Sequence, residues 1–258
     1  MPDHFAHPRI AYERPSFLQS DEARPLRILA EYLEPLDRFR RAGIHDTIVF
    51  FGSARLKADD PLGRYYDEAR ELARLITEWS QSLPSDAHHY VICSGGGAGI
   101  MEAANRGAAD ASGKSIGLNI SLPLEQRRNR YTTHDLLFEF HYFFMRKLWF
   151  AHLARALICF PGGFGTLDEL TEILTLAQTR KLSRNIPVIL YGTSYWKEIL
   201  NFEALQRHGM IDAADLDLFQ YADQPMAALA ILKERLAAEP AGVSPSFAHS
   251  HHRPQGGA

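Results

Sequence analysis

The sequence predicts an α/β fold of the Rossmann-like type, a single domain with a doubly wound parallel sheet and helices on both faces. Two observations lead to this prediction. Short apolar runs typical of buried strands alternate with longer segments whose apolar residues recur every three or four positions, as in amphipathic helices. Glycine-rich or Gly-Ser turns follow three of the apolar runs. Such an alternation is typical of parallel sheets covered on both sides.

The first 45 residues are predicted to form an arm and a helix that extend the main domain. Residues 1–20 show no periodicity, whereas apolar residues recur at helical spacing between Asp21 and Arg41. Pro35 marks a point where this helix could break, because proline lacks a backbone N–H and clashes with the preceding turn. We expect the helix to pack on the outside of the main fold.

Residues 46–238 are predicted to form the Rossmann-like nucleotide-binding domain, and residues 239–258 a disordered tail rich in Pro, Gly, Ser and His. The predicted strands are 47–51, 90–93, 114–120, 136–140, 157–160 and 187–191. The predicted helices are 65–83, 100–111, 141–153, 167–179, 195–208 and 227–237. Ligands of such sheets bind beyond the carboxyl ends of the strands. The turns at 52–53, 95–99 and 162–165 all lie there, so we expect them to line one crevice.

Composition narrows the class of protein. The 258 residues are 46% hydrophobic, which suits one large domain, and the formal net charge of −3 predicts no general attraction to nucleic acid or to anionic membranes. No apolar run approaches the roughly 20 residues of a membrane span, and the N-terminus lacks the apolar core of a signal peptide. Cys93 and Cys159 lie in predicted strands, as buried free thiols do in a reducing compartment. A soluble, cytoplasmic protein is therefore expected.

The third turn, which spans Gly162, Gly163, Gly165 and Thr166, carries the strongest functional signal. Glycines between a strand and a helix let the backbone approach a phosphate, and the helix N-terminus supplies free N–H groups. Glu169 has two interpretations. It can close a capping box with Thr166 as N-cap, or it can serve as an ionised carboxylate that acts as a base or stabilises a cation.

Glu172 follows Glu169 by three residues and so lies on roughly the same helix face. We assign it to the site or to its edge, and a solvated surface position is the alternative.

The second turn contains Gly95, Gly96, Gly97 and Gly99. Its spacing fits neither the G-x-G-x-x-G fingerprint of dinucleotide-binding proteins nor the Lys-Ser/Thr ending of a Walker loop. It is a phosphate-compatible turn, and the alternative is a tight connection that binds no ligand.

Arg146 and Lys147 form a basic pair inside a very apolar segment. Burying a guanidinium is costly without an anionic partner, so Arg146 is predicted to point at a phosphate or at Glu169. The alternative is an exposed pair on an interface helix. The aromatic residues around the pair favour a subunit interface in either case.

These motifs together resemble the Lonely Guy (LOG) family. The letters GGFGTLDE at 162–169 match its G-G-x-G-T-x-x-E motif, and Arg146-Lys147 matches the end of its M-x-x-R-K motif. Gly52-Ser53 resembles the Gly-Ser turn after the first strand of the family, and the second turn resembles its triple-glycine phosphate loop. The resemblance covers roughly residues 46–200.

The resemblance implies an enzyme that hydrolyses the N-glycosidic bond of a nucleoside 5′-monophosphate, AMP or a cytokinin ribotide, to free base and ribose 5-phosphate. It implies that Glu169 and Arg146 are catalytic. The residues that would bind the substrate are Gly52, Ser53, Gly95, Gly96, Gly97, Gly99, Lys147, Gly162, Gly163, Gly165, Thr166 and Glu172. The resemblance implies no metal and no cofactor. It also implies a homodimer or a higher homo-oligomer.

Three other classes are weighed against this prediction. The same fold could bind or sense nucleotides without catalysis, although such a protein would not need a carboxylate beside a phosphate. The family carries an old lysine decarboxylase label, which requires a pyridoxal phosphate lysine, and Lys147, Lys181 and Lys197 lie in no recognisable motif for that cofactor. An NAD-dependent oxidoreductase is disfavoured by the glycine spacing.

Overall fold

A computed structural model describes residues 9–84, 89–121, 129–182 and 186–237. Its strands are β1 Thr47–Phe51, β2 Val91–Ser94, β3 Ser115–Ile120, β4 Leu137–Phe140, β5 Ala154–Cys159, β6 Val188–Tyr191 and β7 Phe219–Ala222. They form one sheet in the order β4-β3-β2-β1-β5-β6-β7, and every neighbouring pair is parallel. The predicted fold class is confirmed.

The helices lie on both faces of this sheet. They are α1 Pro15–Leu18, α2 Arg24–Ala42, α3 Arg64–Gln81, α4 Ile100–Asp110, α5 Phe143–Leu153, α6 Phe164–Gln178, α7 Thr193–Ile199, α8 Phe202–Arg207 and α9 Pro225–Ala237. Short 3-10 turns occupy Ala11–Glu13, His134–Leu136 and Ala213–Leu218.

Two apolar cores sandwich the sheet, because successive strand residues point to opposite faces. Along β1, Ile48 and Phe50 join one core with α3, α4 and α9, whereas Val49 and Phe51 join the other with α2, α5 and α6. β1 is buried at all five positions. The helix pair α5 and α6, which carries the predicted catalytic residues, therefore lies on one face of the sheet.

The structure corrects two predicted helices. The helix predicted over 195–208 is two helices, because the chain leaves the helical conformation at Leu200 and the side chain of Asn201 caps α8 by accepting the amide of Ala204 at 2.8 Å. The predicted break at Pro35 does not occur. Pro35 is buried and α2 continues through it, held against the sheet by Phe39 and its neighbours.

The edge strand β7 escaped prediction. Its sequence, FQYA, is short and only its first and last residues are buried, so it lacks the continuous apolar run of the inner strands. Part of the arm predicted over 1–20 also contains short helical turns. Residues 1–8 and the predicted tail lie outside the described residues, and the domain boundaries at 45 and 238 stay predictions.

Two further expectations concern the cysteines and membrane-spanning helices. Cys93 and Cys159 are buried free thiols in β2 and β5, as predicted. Within the described ranges, no helix combines the length and the apolarity that crossing a membrane requires.

Gly99, the residue before α4, is required by the fold. Its φ is +65°, and a Cβ atom there would lie 2.1 Å from the carbonyl oxygen of Ser53. Gly165, in the first turn of α6, has no atom within 4 Å of the equivalent position.

We therefore expect Gly99→Ala to lower the free energy of unfolding by more than about 1 kcal/mol, because alanine disfavours positive φ and the carbonyl would have to move. Gly165→Ala should leave stability within about 0.5 kcal/mol or raise it, since its position is helical and open. Denaturant unfolding of both variants measures this difference, and equal losses would contradict it.

Candidate active site

The three glycine-containing turns meet at the carboxyl edge of the sheet. Ser53, after β1, donates its amide to the carbonyl of Pro161 at 2.9 Å, and its own carbonyl accepts the amide of Ile100 at 3.1 Å. Main-chain hydrogen bonds thus join the first turn to the third turn and to the start of α4. The predicted crevice is formed, and its walls are fixed by the backbone itself.

A cavity of about 1110 Å³ opens between these turns. Nine of the predicted site residues line it: Gly52, Ser53, Gly95, Arg146, Gly162, Gly163, Gly165, Thr166 and Glu169. Five others lie outside the lining, namely Gly96, Gly97, Gly99, Lys147 and Glu172. The cavity therefore brings together the first turn, the third turn and the predicted catalytic pair.

Helix α6 begins three residues earlier than predicted, and the predicted capping box is wrong. The residue before α6 is Gly163, no side chain caps the helix there, and Glu169 lies in the second turn. The amides of Thr166 and Leu167 both donate to the carbonyl of Gly163 at 3.0 Å. Consequently Thr166 is a helical residue, and Glu169 does not close its own helix.

The start of α6 has room for a ligand. A Cβ atom at Gly163 or Gly165 would meet nothing within 4 Å, so packing against the protein does not explain these glycines. The amides of Phe164 and Gly165 precede the first intrahelical bond, as the first amides of any helix do. Open space beside such amides suits an anion.

Glu169 is buried, with 3% of its surface exposed, and its Oε1 lies 3.6 Å from Nη2 of Arg146. The Arg146 guanidinium lies 5.3 Å from the ring centre of Phe143 and 5.5 Å from that of Phe150. The separation of the two charged groups is an ion-pair distance, longer than a direct hydrogen bond. Two opposite charges from adjacent helices therefore face the cavity together.

Burial raises the pKa of Glu169 to about 7, although the charges of Lys147 and Arg146 oppose the rise. Glu172 and Asp168 add to it as like charges. This result reverses the sequence-based expectation that the helix N-terminus keeps the carboxylate ionised. Glu169 lies too far from the helix start, and too deep, for the dipole to outweigh desolvation.

Lys147 lies outside the cavity lining and joins α5 to α6. Its Nζ lies 2.7 Å from Oδ2 of Asp168 and 2.7 Å from Oε2 of Glu172. Burial lowers the pKa of Lys147, but these two carboxylates outweigh burial and the net shift is upward. Glu172 is thus paired with Lys147 on the edge of the site.

Polar side chains that were not predicted from the sequence form hydrogen bonds that support the second glycine turn. Gly96 adopts a φ of +67°. With its amide assigned to the orientation that satisfies its neighbours, Asn119 donates its nitrogen to the carbonyls of Gly95 at 2.6 Å and Gly96 at 3.1 Å. The Ser94 hydroxyl accepts the Gly96 amide at 3.0 Å and donates to buried Asn105 at 2.6 Å. The sequence did contain a signal for this support, because Asn119 and Asn105 interrupt otherwise apolar positions of β3 and α4.

Other lining residues also escaped prediction. Phe164 lies at the rim with 91% of its surface exposed, and Arg55 and Asp60 follow the first turn. Tyr195 donates its hydroxyl to the carbonyl of Gly162 at 2.7 Å and so supports the third turn from α7. Arg55 could have been found as a charged residue two positions after the Gly-Ser turn, but Asp60 and Tyr195 lie further away in sequence.

The parallel sheet and the glycine-lined cavity at its carboxyl edge define a Rossmann-like protein with a ligand-sized site beside β1. The profile of a family described as "Possible lysine decarboxylase" matches residues 101–232, half of the chain. A "Probable cytokinin riboside 5′-monophosphate phosphoribohydrolase LOG4" from Oryza sativa subsp. japonica is 32% identical over 209 residues, which cover 80% of this chain and 84% of that protein. The chain belongs to the Lonely Guy family.

Solved structures support the fold. The structural-genomics protein TM1055 superposes with a TM-score of 0.52 and 21% identity, covering 73% of this chain and 99% of its own. A molybdenum cofactor binding protein from the phototrophic bacterium Rippkaea orientalis gives a TM-score of 0.50 and 19% identity, with coverage of 73% and 96%. At these identities the likeness concerns the fold alone.

The raised pKa of Glu169 predicts a pH-dependent stability. The folded protein keeps a proton on Glu169 at pH values where the unfolded chain, with a pKa near 4.5, has lost it. Stability should therefore fall as the pH rises from about 4.5 to about 7, by roughly 3 kcal/mol for a shift of this size. Glu169→Gln removes this contribution. Unfolding free energies of both proteins measured across this range should diverge, and parallel curves would contradict the assignment.

Proposed function

We propose that this protein hydrolyses the N-glycosidic bond of a nucleoside 5′-monophosphate, AMP or a cytokinin ribotide, and releases the free base and ribose 5-phosphate. The observation that carries the proposal is the buried Glu169–Arg146 pair in a cavity that also contains the open start of α6. The relative from Oryza sativa, whose name describes this class of activity, supports it.

The 5′-phosphate would lie against the third turn. Gly163 and Gly165 leave open space there, and the first amides of α6 offer hydrogen bonds to an anion. Gly95 and the hydroxyl-bearing Ser53 also line the cavity. Binding energy from the phosphate would then hold the ribose in place for the reaction.

The catalytic pair would act on the ribose carbon that carries the base. Cleavage of a glycosidic bond passes through an oxocarbenium-like state, which a carboxylate stabilises. Ionised Glu169 would stabilise this cation and orient or deprotonate the attacking water, whose hydroxyl bonds to the ribose carbon while its proton goes to the departing base. Arg146 would hold the carboxylate in register and favour its charged form, because opposite charges lower a carboxyl pKa.

A pyridoxal phosphate decarboxylase does not fit these residues. A lysine that forms a Schiff base has to lose its proton, which a lowered pKa favours. Lys147 instead has a raised pKa and is held by two carboxylates outside the cavity lining. Lys181 and Lys197 do not line the cavity either.

The test is release of free base from AMP and from its isopentenylated analogue, followed by chromatography. We expect Glu169→Gln and Arg146→Ala to lower kcat by about 10²–10³, as the loss of one charge-stabilising group does in other enzymes. For the wild type, kcat/KM should rise with pH through about 7, because the ionised form of Glu169 is the active one.

Glu234→Gln is the matched control. It changes an exposed carboxyl on α9, outside the cavity lining, and should keep kcat within a few-fold. Base release from AMP alone or from both nucleotides would set the specificity. Tight nucleotide binding without base release would instead support a binding or sensing protein of the same fold.

We also propose that the protein forms a homodimer through α5. We further propose that it acts in the cytoplasm, a reducing environment that suits its free thiols. Phe143, Phe144 and Leu148 are 52%, 50% and 39% exposed on α5. Apolar side chains clustered on one helix mark an interaction surface.

Phe144→Asp should therefore shift the molecular mass measured by light scattering from dimer to monomer. Met226→Asp, at an exposed position on α9, is the control and should leave the mass unchanged. A monomeric wild type would overturn this part of the proposal.

A further inference from the structure

Helix α2 is bonded directly to the start of α5, the helix that carries Arg146. The carboxylate of Glu31 accepts the amide of His141 at 2.8 Å on one oxygen and the amide of Tyr142 at 3.2 Å on the other. Two bonds from one carboxylate hold the two consecutive amides in place. Glu31 lies 110 residues before His141 in sequence, so the contact is purely tertiary.

The backbone of Tyr142 determines where the first turn of α5 lies. Tyr142 precedes α5 and no side chain of its own caps the helix. Its carbonyl accepts the amides of Met145 at 3.1 Å and Arg146 at 3.2 Å. A change in the position of the Tyr142 backbone would therefore move the backbone of Arg146.

The same part of α2 also holds α5 beyond Arg146. The indole nitrogen of Trp149 donates to the main-chain carbonyl of Glu31 at 3.0 Å, and the Trp149 ring lies 5.6 Å from that of Tyr32. Trp149 is buried, with 2% of its surface exposed. One residue of α2 thus contacts α5 on both sides of Arg146.

We propose that Glu31 is a positioning residue for the active site, acting through α5 to set Arg146 against Glu169. This inference rests on the proposed function. The catalytic pair is separated by 3.6 Å, so a displacement of α5 that lengthens this distance would weaken the attraction between the two groups. Residues 24–42 lie outside the family match at 101–232, so this support comes from a part of the chain beyond the matched region.

The ionisation of Glu169 reports on this position. The charged groups that act on it are Arg146 and Lys147 from α5 and Asp168 and Glu172 from α6, and Arg55 and Asp60 line the same cavity. Both α5 cations favour the ionised form. A shifted α5 weakens their effect. The acidic limb of the pH–activity profile, where activity rises as Glu169 loses its proton, therefore moves to higher pH.

The test compares Glu31→Ala with Arg38→Ala. Arg38 lies on the same helix and also bonds to main-chain groups, donating to the carbonyl of Leu137 at 2.9 and 3.1 Å, but it does not contact α5 in this way. With AMP as substrate, Glu31→Ala should lower kcat about tenfold, change KM less than threefold and shift the acidic limb upward by about half a pH unit. Arg38→Ala should leave kcat and the limb unchanged.

Glu31→Gln, which keeps one acceptor oxygen, should give a kcat between those of wild type and Glu31→Ala. This milder variant also serves if Glu31→Ala fails to fold. Equal kcat and equal acidic limbs in wild type and the Glu31 variants would overturn the proposal, even if both Glu31→Ala and Arg38→Ala lower the melting temperature.

A second measurement separates this inference from the proposed function. Amide hydrogen exchange of residues 143–147 should be at least tenfold faster in Glu31→Ala than in Arg38→Ala, whether or not AMP is hydrolysed. Equal exchange in the two variants would overturn the positioning role. A wild type that releases no base while exchange differs as expected would overturn the proposed function and leave the structural link standing.

Discussion

The buried carboxyl of Glu169 is the constraint on which the site depends. Taking a carboxylate out of water is costly unless positive charge lies nearby, and two cations of α5 supply that charge. Arg146 faces it from inside the cavity, while Lys147 joins α5 to α6 through Asp168 and Glu172. The position of α5 relative to α6 therefore acts together with burial on the protonation state of Glu169, and with it on the chemistry that the cavity can support.

The topology of the sheet places this pair beside a suitable ligand site. β1 lies between β2 and β5, where the strand order reverses, and open parallel sheets bind their ligands at such a point. The loops after these three strands diverge there and leave a space. Main-chain bonds of Ser53 fix the walls of that space, so it does not depend on flexible side chains.

The glycines of the two later turns differ in purpose although their sequences look alike. Gly99 is required because its backbone is left-handed and lies against Ser53, so it serves the packing of the turn. Gly163 and Gly165 have open space beside them, which suits contact with a ligand. In the proposed enzyme, the third turn would therefore bind phosphate while the second one shapes the wall.

Local patterning was sufficient to predict the parallel α/β fold, the six strands β1 to β6 and the clustering of the turns. Apolar runs such as Thr47–Phe51 can only be satisfied inside a sheet covered on both faces, and parallel strands must end at one edge. Edge strand β7 and the break at Leu200 lacked such a pattern.

Only the tertiary structure decided the state of Glu169, the pairing of Lys147 and the attachment of Glu31 to α5. These properties arise from burial and from contacts between residues distant in sequence, as with Glu31 and His141. The sequence around Glu169 suggested a capping box and an ionised carboxylate, but desolvation by the surrounding fold outweighs the local helix dipole.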